Sequence, residues 1–168
     1  MFMPQIATFY IGKTIFGIDI LLTKEIGKIH DITPVPESSE YILGLMNLRG
    51  QILTIMDPRF FLSDRQTPAL EDRRLIIFKT EAEMESLRIQ KFSQLKTQVR
   101  DPMAIVIDKM GDVLNINSEE ITSPPSNLSG IKREFVSGVI QREKQLVILL
   151  DINQLVKMCF VVKANSNK

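Results

Sequence analysis

The sequence contains very little of what metal centres, disulfide frameworks and nucleophilic active sites are built from. Its 168 residues include one cysteine, Cys159, and one histidine, His30. A single cysteine has no partner for an intrachain disulfide, and one histidine with one distant cysteine does not make a zinc cluster. Because Cys159 lies in an apolar run, we interpret it as a small buried side chain rather than a nucleophile. We therefore expect neither a metal nor a cofactor.

An excess of charge of one sign is also missing. The 21 basic residues nearly cancel the 20 acidic residues, which leaves a net charge of +1 and argues against a nucleic-acid partner and against electrostatic membrane binding. No apolar run approaches the roughly 18 residues of a membrane span. The first residues lack the basic and apolar regions of a signal peptide. We predict a cytoplasmic protein with no direct membrane insertion.

Catalytic signatures are absent from the sequence as well. There is no glycine-rich phosphate loop, no G-x-S-x-G motif and no kinase signature. One enzyme hypothesis remains, a hydrolase in which Asp57 and Asp151 act as paired carboxylates. The small residues that normally follow such aspartates are missing, and capping of a helix N-terminus explains both aspartates better. We therefore expect a protein that is not an enzyme.

Short apolar segments of strand length, separated by turn signals, recur along the chain. Gly12-Lys13 predicts a hairpin turn, and Asp57-Pro58 predicts the capped start of a short helix. Residues 21–29 fit either a short helix or a bent strand. The predicted strands cover residues 6–11, 14–20, 41–48, 51–56, 74–79, 103–107, 113–116, 135–140 and 145–150.

Residues 81–101 differ in character and predict a helical insertion. Apolar residues recur there mostly at spacings of three or four, which indicates an amphipathic helix that Pro102 would end. We expect this helix to lie on the surface, docked across the second of the two halves described below or left for a partner. Its apolar stripe consists of Met84, Leu87, Ile89, Phe92, Leu95 and Val99.

The chain contains an internal repeat. Residues 41–57 align without a gap with residues 135–151, so that Gly44 matches Gly138 and Asp57 matches Asp151, each pair 94 apart (138 minus 44). A weaker match relates Thr33 to Thr122. We therefore predict two similar β-rich halves that form two small packed barrels, since closure removes the exposed edges of short sheets. A single β-sandwich with chance similarity is the alternative.

Several motifs recur in the order found in one family. An aromatic-x-x-Gly strand at 41–44 runs into Asn-Leu-Arg-Gly at 47–50, and an apolar strand follows that ends at Asp57 and Arg59. Phe16 to Ile20 with Glu25-Ile26 precedes these motifs, and residues 105–114 follow them. With these motifs the sequence resembles the CheW family of bacterial chemotaxis over residues 5 to about 157, apart from 81–101.

This resemblance implies one CheW-like domain over residues 1–168, mainly β, with two small five-stranded SH3-like barrels and a few short helices. It implies a non-catalytic adaptor that couples the cytoplasmic tip of methyl-accepting chemoreceptors to the regulatory domain of a chemotaxis histidine kinase. The adaptor would reach membrane-associated receptor arrays through these partners. An adaptor of the same fold in non-flagellar motility or another two-component pathway is the alternative.

The resemblance also implies a partner-binding surface. Arg49 in the predicted turn suits a bidentate contact with a partner's carboxylate, and the alternative is a solvated turn cation. Ile26 is either an exposed anchor for a receptor helix or a core residue, and Val113 lies either in a groove between the barrels or in the core. Asn47 and Gly50 are expected to shape the turn. The full predicted set is Glu25, Ile26, Asn47, Arg49, Gly50 and Val113.

Overall fold

β-Strands are the main regular structure of the described residues. The computed structural model describes residues 3–61, 69–86, 97–128 and 130–158, and within them short 3-10 turns and two α-helices, α1 (Glu81–Ser86) and α2 (152–158), accompany eleven strands. The strands are β1 (Gln5–Ile11), β2 (Thr14–Asp19), β3 (Thr23–Lys28), β4 (Ile42–Leu48), β5 (Gln51–Met56), β6 (Arg74–Phe78), β7 (Met103–Ile107), β8 (Lys109–Asn115), β9 (Ile121–Thr122), β10 (Val136–Arg142) and β11 (Gln145–Leu150).

The strands form two sheets, which confirms the predicted mainly β architecture. The central sheet has five strands in the order β3-β6-β7-β5-β4. The terminal sheet has the order β8-β1-β2-β11-β10-β9 and contains six strands instead of the predicted five, because the two residues of β9 pair with β10. Residues 21–29, left open by their pattern, form a 3-10 turn at Ile20–Leu22 followed by β3.

The two sheets are not consecutive halves of the chain, as the repeat had suggested. The N-terminal hairpin β1–β2 joins the C-terminal hairpin β10–β11 through parallel pairing of β2 with β11. In the same way, β7 pairs in parallel with β5 of the central sheet. The terminal sheet thus includes two strands from the first half of the sequence, and the central sheet includes one from the second half. Residues 81–101 lie between β6 and β7 of the central sheet, not in the second copy.

The repeat itself is present in the structure as the same hairpin built twice. Gly44 lies opposite Ile55 in β4–β5, and Gly138 lies opposite Leu149 in β10–β11, with a bulge just before each glycine. All of these positions are related by the shift of 94. The prediction that the two glycines occupy equivalent places is therefore confirmed, and the similarity is not due to chance.

The glycine at the bulge is required because a second backbone crosses the hairpin there. Gly44 has a φ of +144°, and a Cβ on it would overlap the carbonyl oxygen of Thr33. Thr33 exchanges two backbone hydrogen bonds of 2.8 Å with Leu45. In the second copy, a Cβ on Gly138 would lie 3.2 Å from the carbonyl oxygen of Thr122. The weaker match between Thr33 and Thr122 thus marks the crossing segments.

Strands without a polar face explain why the two sheets pack together. All five residues of β7 are buried. Successive side chains of a strand point to opposite faces, so Ala104 and Val106 enter the interior of the central sheet, the central core, while Met103, Ile105 and Ile107 enter the inter-sheet core between the two sheets. Covering both faces requires both sheets.

The terminal sheet divides its side chains in the same manner. In β11, Val147 and Leu149 enter the terminal core, whereas Ile148 and Leu150 enter the inter-sheet core. Three cores therefore alternate through the molecule, one inside each sheet and one between them. A single β-sandwich would have one core, so that alternative is not what forms.

Buried charges also lie at the junction of the sheets. At the end of β5, Asp57 accepts a 2.7 Å hydrogen bond from the guanidinium of Arg73. At the end of β7, Asp108 pairs with Arg59 and accepts a 2.7 Å hydrogen bond from the backbone N–H of Gly12, in the β1–β2 turn of the terminal sheet. Two anions and two cations compensate one another here, and Asp108 ties the sheets together. We call these four charged residues the buried charge network.

Both repeated aspartates cap helices, as predicted. An Asp57 oxygen accepts from the backbone N–H of Arg59 at 3.0 Å, and Asp151 accepts from that of Gln154 at 3.3 Å. They end β5 and β11, which belong to different sheets, and the second oxygen of Asp57 is held by Arg73. This arrangement does not favour the paired-carboxylate hydrolase.

The inserted segment agrees only in part with its predicted helix. Thr80 and Glu83 form a capping box at the start of α1, but residues 97–100 are not helical. Val99 is fully buried in the inter-sheet core, and the backbone N–H of Gln98 donates to Asn153 at 2.8 Å. The segment therefore docks on its own chain at its end. Leu87, Ile89, Phe92 and Leu95 lie outside the described residues.

The two aspartates are expected to differ in their contribution to stability. Asp151→Ala removes a cap and should lower the free energy of unfolding by about 0.5–2 kcal/mol. Asp57→Ala also leaves Arg73 buried without its partner and should cost about 3–5 kcal/mol. Urea denaturation of both variants measures the difference. Equal losses would mean that the buried pair contributes nothing beyond the cap.

The two hairpin glycines of the first copy provide a second test. Gly44→Ala forces a Cβ into the Thr33 backbone and should cost more than about 3 kcal/mol, as strain and overpacking add. At Gly50, with a φ of +84° and nothing within 4 Å of a Cβ, alanine should cost about 1–2 kcal/mol. Thermal unfolding of the two variants measures the difference in stability between Gly44→Ala and Gly50→Ala. A Gly44→Ala protein as stable as Gly50→Ala would contradict the crossing described here.

Candidate partner-binding site

The β4–β5 turn brings together four of the predicted site residues: Asn47, Arg49, Gly50 and, through an ion pair, Glu25. Arg49 and Gly50 both have positive φ values, 52° and 84°, which is typical of a tight type I′ hairpin turn. The side chain of Asn47 accepts a 2.9 Å hydrogen bond from the backbone N–H of Gly50. Asn47 and Gly50 therefore shape the turn, and they hold Arg49 with its side chain 70% exposed.

Arg49 forms an ion pair with Glu25 of β3. The pair joins the turn of the β4–β5 hairpin to β3, and β3 and β4 are the two outer strands of the central sheet. The sheet thus draws its two edges together at this end. An exposed pair of this kind contributes about 0–1 kcal/mol. Arg49 is therefore not a simple solvated cation, because its guanidinium already has a carboxylate partner within the same chain.

Three residues beside this pair were not predicted from the sequence. Lys24 forms a 2.9 Å ion pair with Glu83 of α1 and a 3.5 Å hydrogen bond with the side chain of Gln51. Partial burial alone would raise the pKa of Glu83, but hydrogen bonds from Lys24 and Thr80 outweigh it, so the pKa is lowered. The inserted helix is thereby fixed against β3. The Thr80-x-x-Glu83 capping box was the available sequence signal.

Ile26 is exposed and not part of the core. The residue is 41% accessible, because Ile26 and Lys28 lie on the outward face of β3. Its cross-strand neighbour in β6 is Ile76, which lies in the inter-sheet core. Paired residues share a face, so Ile26 extends the packed face of the central sheet into solvent.

Val113 occupies the corresponding margin of the terminal sheet. It lies on the outer strand β8, is 48% exposed, and pairs with Ala7 of the inter-sheet core. The core alternative is thus wrong for Val113, as it is for Ile26. The structure places these two residues on different sheets, each at the edge of the face that packs against the other sheet.

Within the described part of the chain, other kinds of site are not apparent. No group of three or more histidine, cysteine, aspartate or glutamate residues there is arranged to hold a metal ion. No helix among these residues has the length and apolar character needed to cross a membrane. His30 is exposed, and Cys159 lies outside the described residues.

Two packed β-units with exposed apolar side chains at the margin of their shared core, next to an ion-paired turn, define an interaction module. The family model described as "CheW-like domain" matches residues 5–159, and the chain belongs to this family. A relative named "Chemotaxis protein CheW" from Treponema pallidum is 32% identical over 154 residues, covering 90% of this chain and 81% of the relative.

Further relatives agree with this assignment. "Chemotaxis protein CheW" of Rhizobium meliloti is 26% identical and covers 90% of this chain and 86% of its own length. The crystal structure of the scaffolding protein TtCheW from Thermoanaerobacter tengcongensis superposes with a TM-score of 0.73 over 92% of this chain and 88% of that one, at 23% identity, which establishes a shared fold. Family membership relates the chain to proteins of bacterial chemotaxis.

The Arg49–Glu25 pair should matter little for folding. A double-mutant cycle with Arg49→Ala and Glu25→Ala should give a coupling energy below about 1 kcal/mol that decreases as salt is added. Glu143→Ala is a matched control, because Glu143 occupies the equivalent turn position of the second hairpin with a φ of 49°. Urea denaturation measures all variants. Unfolding of Arg49→Ala under native conditions would show a structural role.

Proposed function

We propose that this protein is a non-catalytic adaptor that couples the cytoplasmic tips of methyl-accepting chemoreceptors to the regulatory domain of a chemotaxis histidine kinase. The observation that carries the proposal is the double β-unit itself. It is built from one hairpin used twice, and it exposes apolar side chains where the two sheets meet. The protein would act in the cytoplasm and reach receptor arrays through its partners.

Ile26 and Val113 support the receptor half of this proposal. Exposed branched side chains at the rim of a packed core suit the apolar face of an amphipathic helix, which binds through anchors one turn apart. Contiguous exposed apolar surface also marks interaction sites. We infer that a receptor helix lies along the exposed margin of the inter-sheet core, where β3 and β8 are outer strands of their sheets.

The Arg49 turn supports the kinase half of the proposal. Its guanidinium is held by Glu25 in an exposed pair of low net energy, so a partner carboxylate can share it or replace Glu25 at small cost. The planar donors of arginine favour bidentate carboxylate contacts. We infer that the guanidinium of Arg49 in this turn contacts a carboxylate of the kinase regulatory domain.

One observation favours a second candidate, an adaptor of the same fold in non-flagellar motility or another two-component pathway. The inserted helix α1 reaches β3 through Glu83 and Lys24 and so borders the proposed partner surface. A partner that contacts α1 would differ from one that contacts β3 alone. Binding assays with receptor and kinase fragments from several pathways of the same cell distinguish the candidates.

Binding by isothermal titration calorimetry tests the proposal. Ile26→Asp and Val113→Asp should each weaken binding of a receptor cytoplasmic fragment at least about tenfold, as expected for central apolar anchors, and should leave kinase binding unchanged. Leu70→Asp is the control, because Leu70 is 42% exposed, similar to Ile26, but precedes β6. Wild-type protein that binds neither fragment, or equal affinity in all variants, would refute the proposal.

A further inference from the structure

Two cations lie side by side on the face of β3 and β6 that continues into the inter-sheet core. Lys28 is the direct cross-strand partner of Arg74 in the antiparallel pairing, so both side chains project from the same face. Like charges directly opposite each other destabilise a sheet. In the described residues, neither cation forms an ion pair with a carboxylate, although a guanidinium nitrogen of Arg74 donates a 3.0 Å hydrogen bond to the carbonyl oxygen of Arg73.

This cation pair lies next to Ile26, the exposed apolar side chain of β3. Ile26 and Lys28 are two positions apart in β3 and share its outward face, which separates them by about 6.6–6.8 Å along the strand. The next pair on the same face of the ladder is Ile26 with Ile76, and Ile76 belongs to the inter-sheet core. An apolar anchor and a cation pair therefore form one continuous strip at the margin of the core.

The opposite end of the strip is already neutralised. Lys24 precedes Ile26 by two positions, at the bulge between Thr23 and Glu25, and Glu83 of α1 pairs with it at 2.9 Å. The uncompensated positive charge in this strip is therefore concentrated at Lys28 and Arg74, on one side of Ile26. A ligand with one apolar and one acidic group would bind in a single direction.

We propose that Lys28 and Arg74 form a carboxylate-binding subsite beside Ile26, and that the occupant is an amphipathic helix with an acidic residue one turn from its apolar anchor. The inference rests on the proposed function, and it specifies the chemistry of the receptor helix. Residues at i and i+4 of a helix are about 6 Å apart along its axis, which matches the spacing between Ile26 and Lys28. A bound carboxylate relieves the repulsion between the two cations.

Two readouts test the subsite. In the free protein, Lys28→Gln should keep or slightly raise the melting temperature, because it removes a like-charge pair. Binding of a receptor cytoplasmic fragment, followed by fluorescence anisotropy, should weaken about tenfold in Lys28→Gln and more in Lys28→Glu, and the affinity of both variants should depend less on salt. Lys132→Gln, at an exposed lysine before β10, should bind like wild type.

The outcomes separate the subsite from the function on which it rests. If the wild type binds the receptor fragment and Lys28→Glu binds equally tightly with the same salt dependence, the subsite is wrong and the adaptor function stands. If the wild type does not bind, both are rejected. If Lys28→Gln unfolds at a clearly lower temperature, the lysine is structural and the subsite is also rejected. Charge reversal of one acidic residue in the receptor helix should restore binding to Lys28→Glu only.

Discussion

The structure depends on one constraint: β6 and β7, inner strands of the central sheet, have no polar face. β7 is buried along its whole length, and four of the five residues of β6 are buried. The curvature of the central sheet covers one face, and only a second sheet can cover the other. The inter-sheet core is therefore a requirement of the sequence of these strands, and the candidate site lies where this packed face ends, at Ile26 and Val113.

The buried charge network fixes how the sheets meet at that core. Burying ions is costly unless each is paired and hydrogen-bonded. Both anions of the network come directly after buried strands, Asp57 after β5 and Asp108 after β7. Asp108 also binds the Gly12 backbone of the terminal sheet. Apolar contact brings the sheets together, and the charge network restricts their relative position. The rigid margin that results is a suitable base for a binding strip on β3.

Local patterns predicted the hairpins, the capped turns and the repeat, because each depends on residues close in sequence or on direct self-similarity. The exchange of strands between the halves was not predictable, since the parallel pairing of β2 with β11 leaves no local signal. The Asp57-Pro58 pair indicated a cap and did not reveal that Asp57 and Arg59 form a charge network with Arg73 and Asp108. For Ile26 and Val113, apolar character alone did not distinguish a packed face from its margin.

The central claim is that the inter-sheet core makes the two sheets one cooperative unit, and native-state hydrogen exchange tests it most directly. Amides of β5, β6 and β7 should open with the same free energy as amides of β2, β10 and β11. Asp108→Asn, which weakens the link to Gly12, should lower both sets by the same amount. Opening of one sheet at a lower free energy, with the other unaffected by the substitution, would contradict the account.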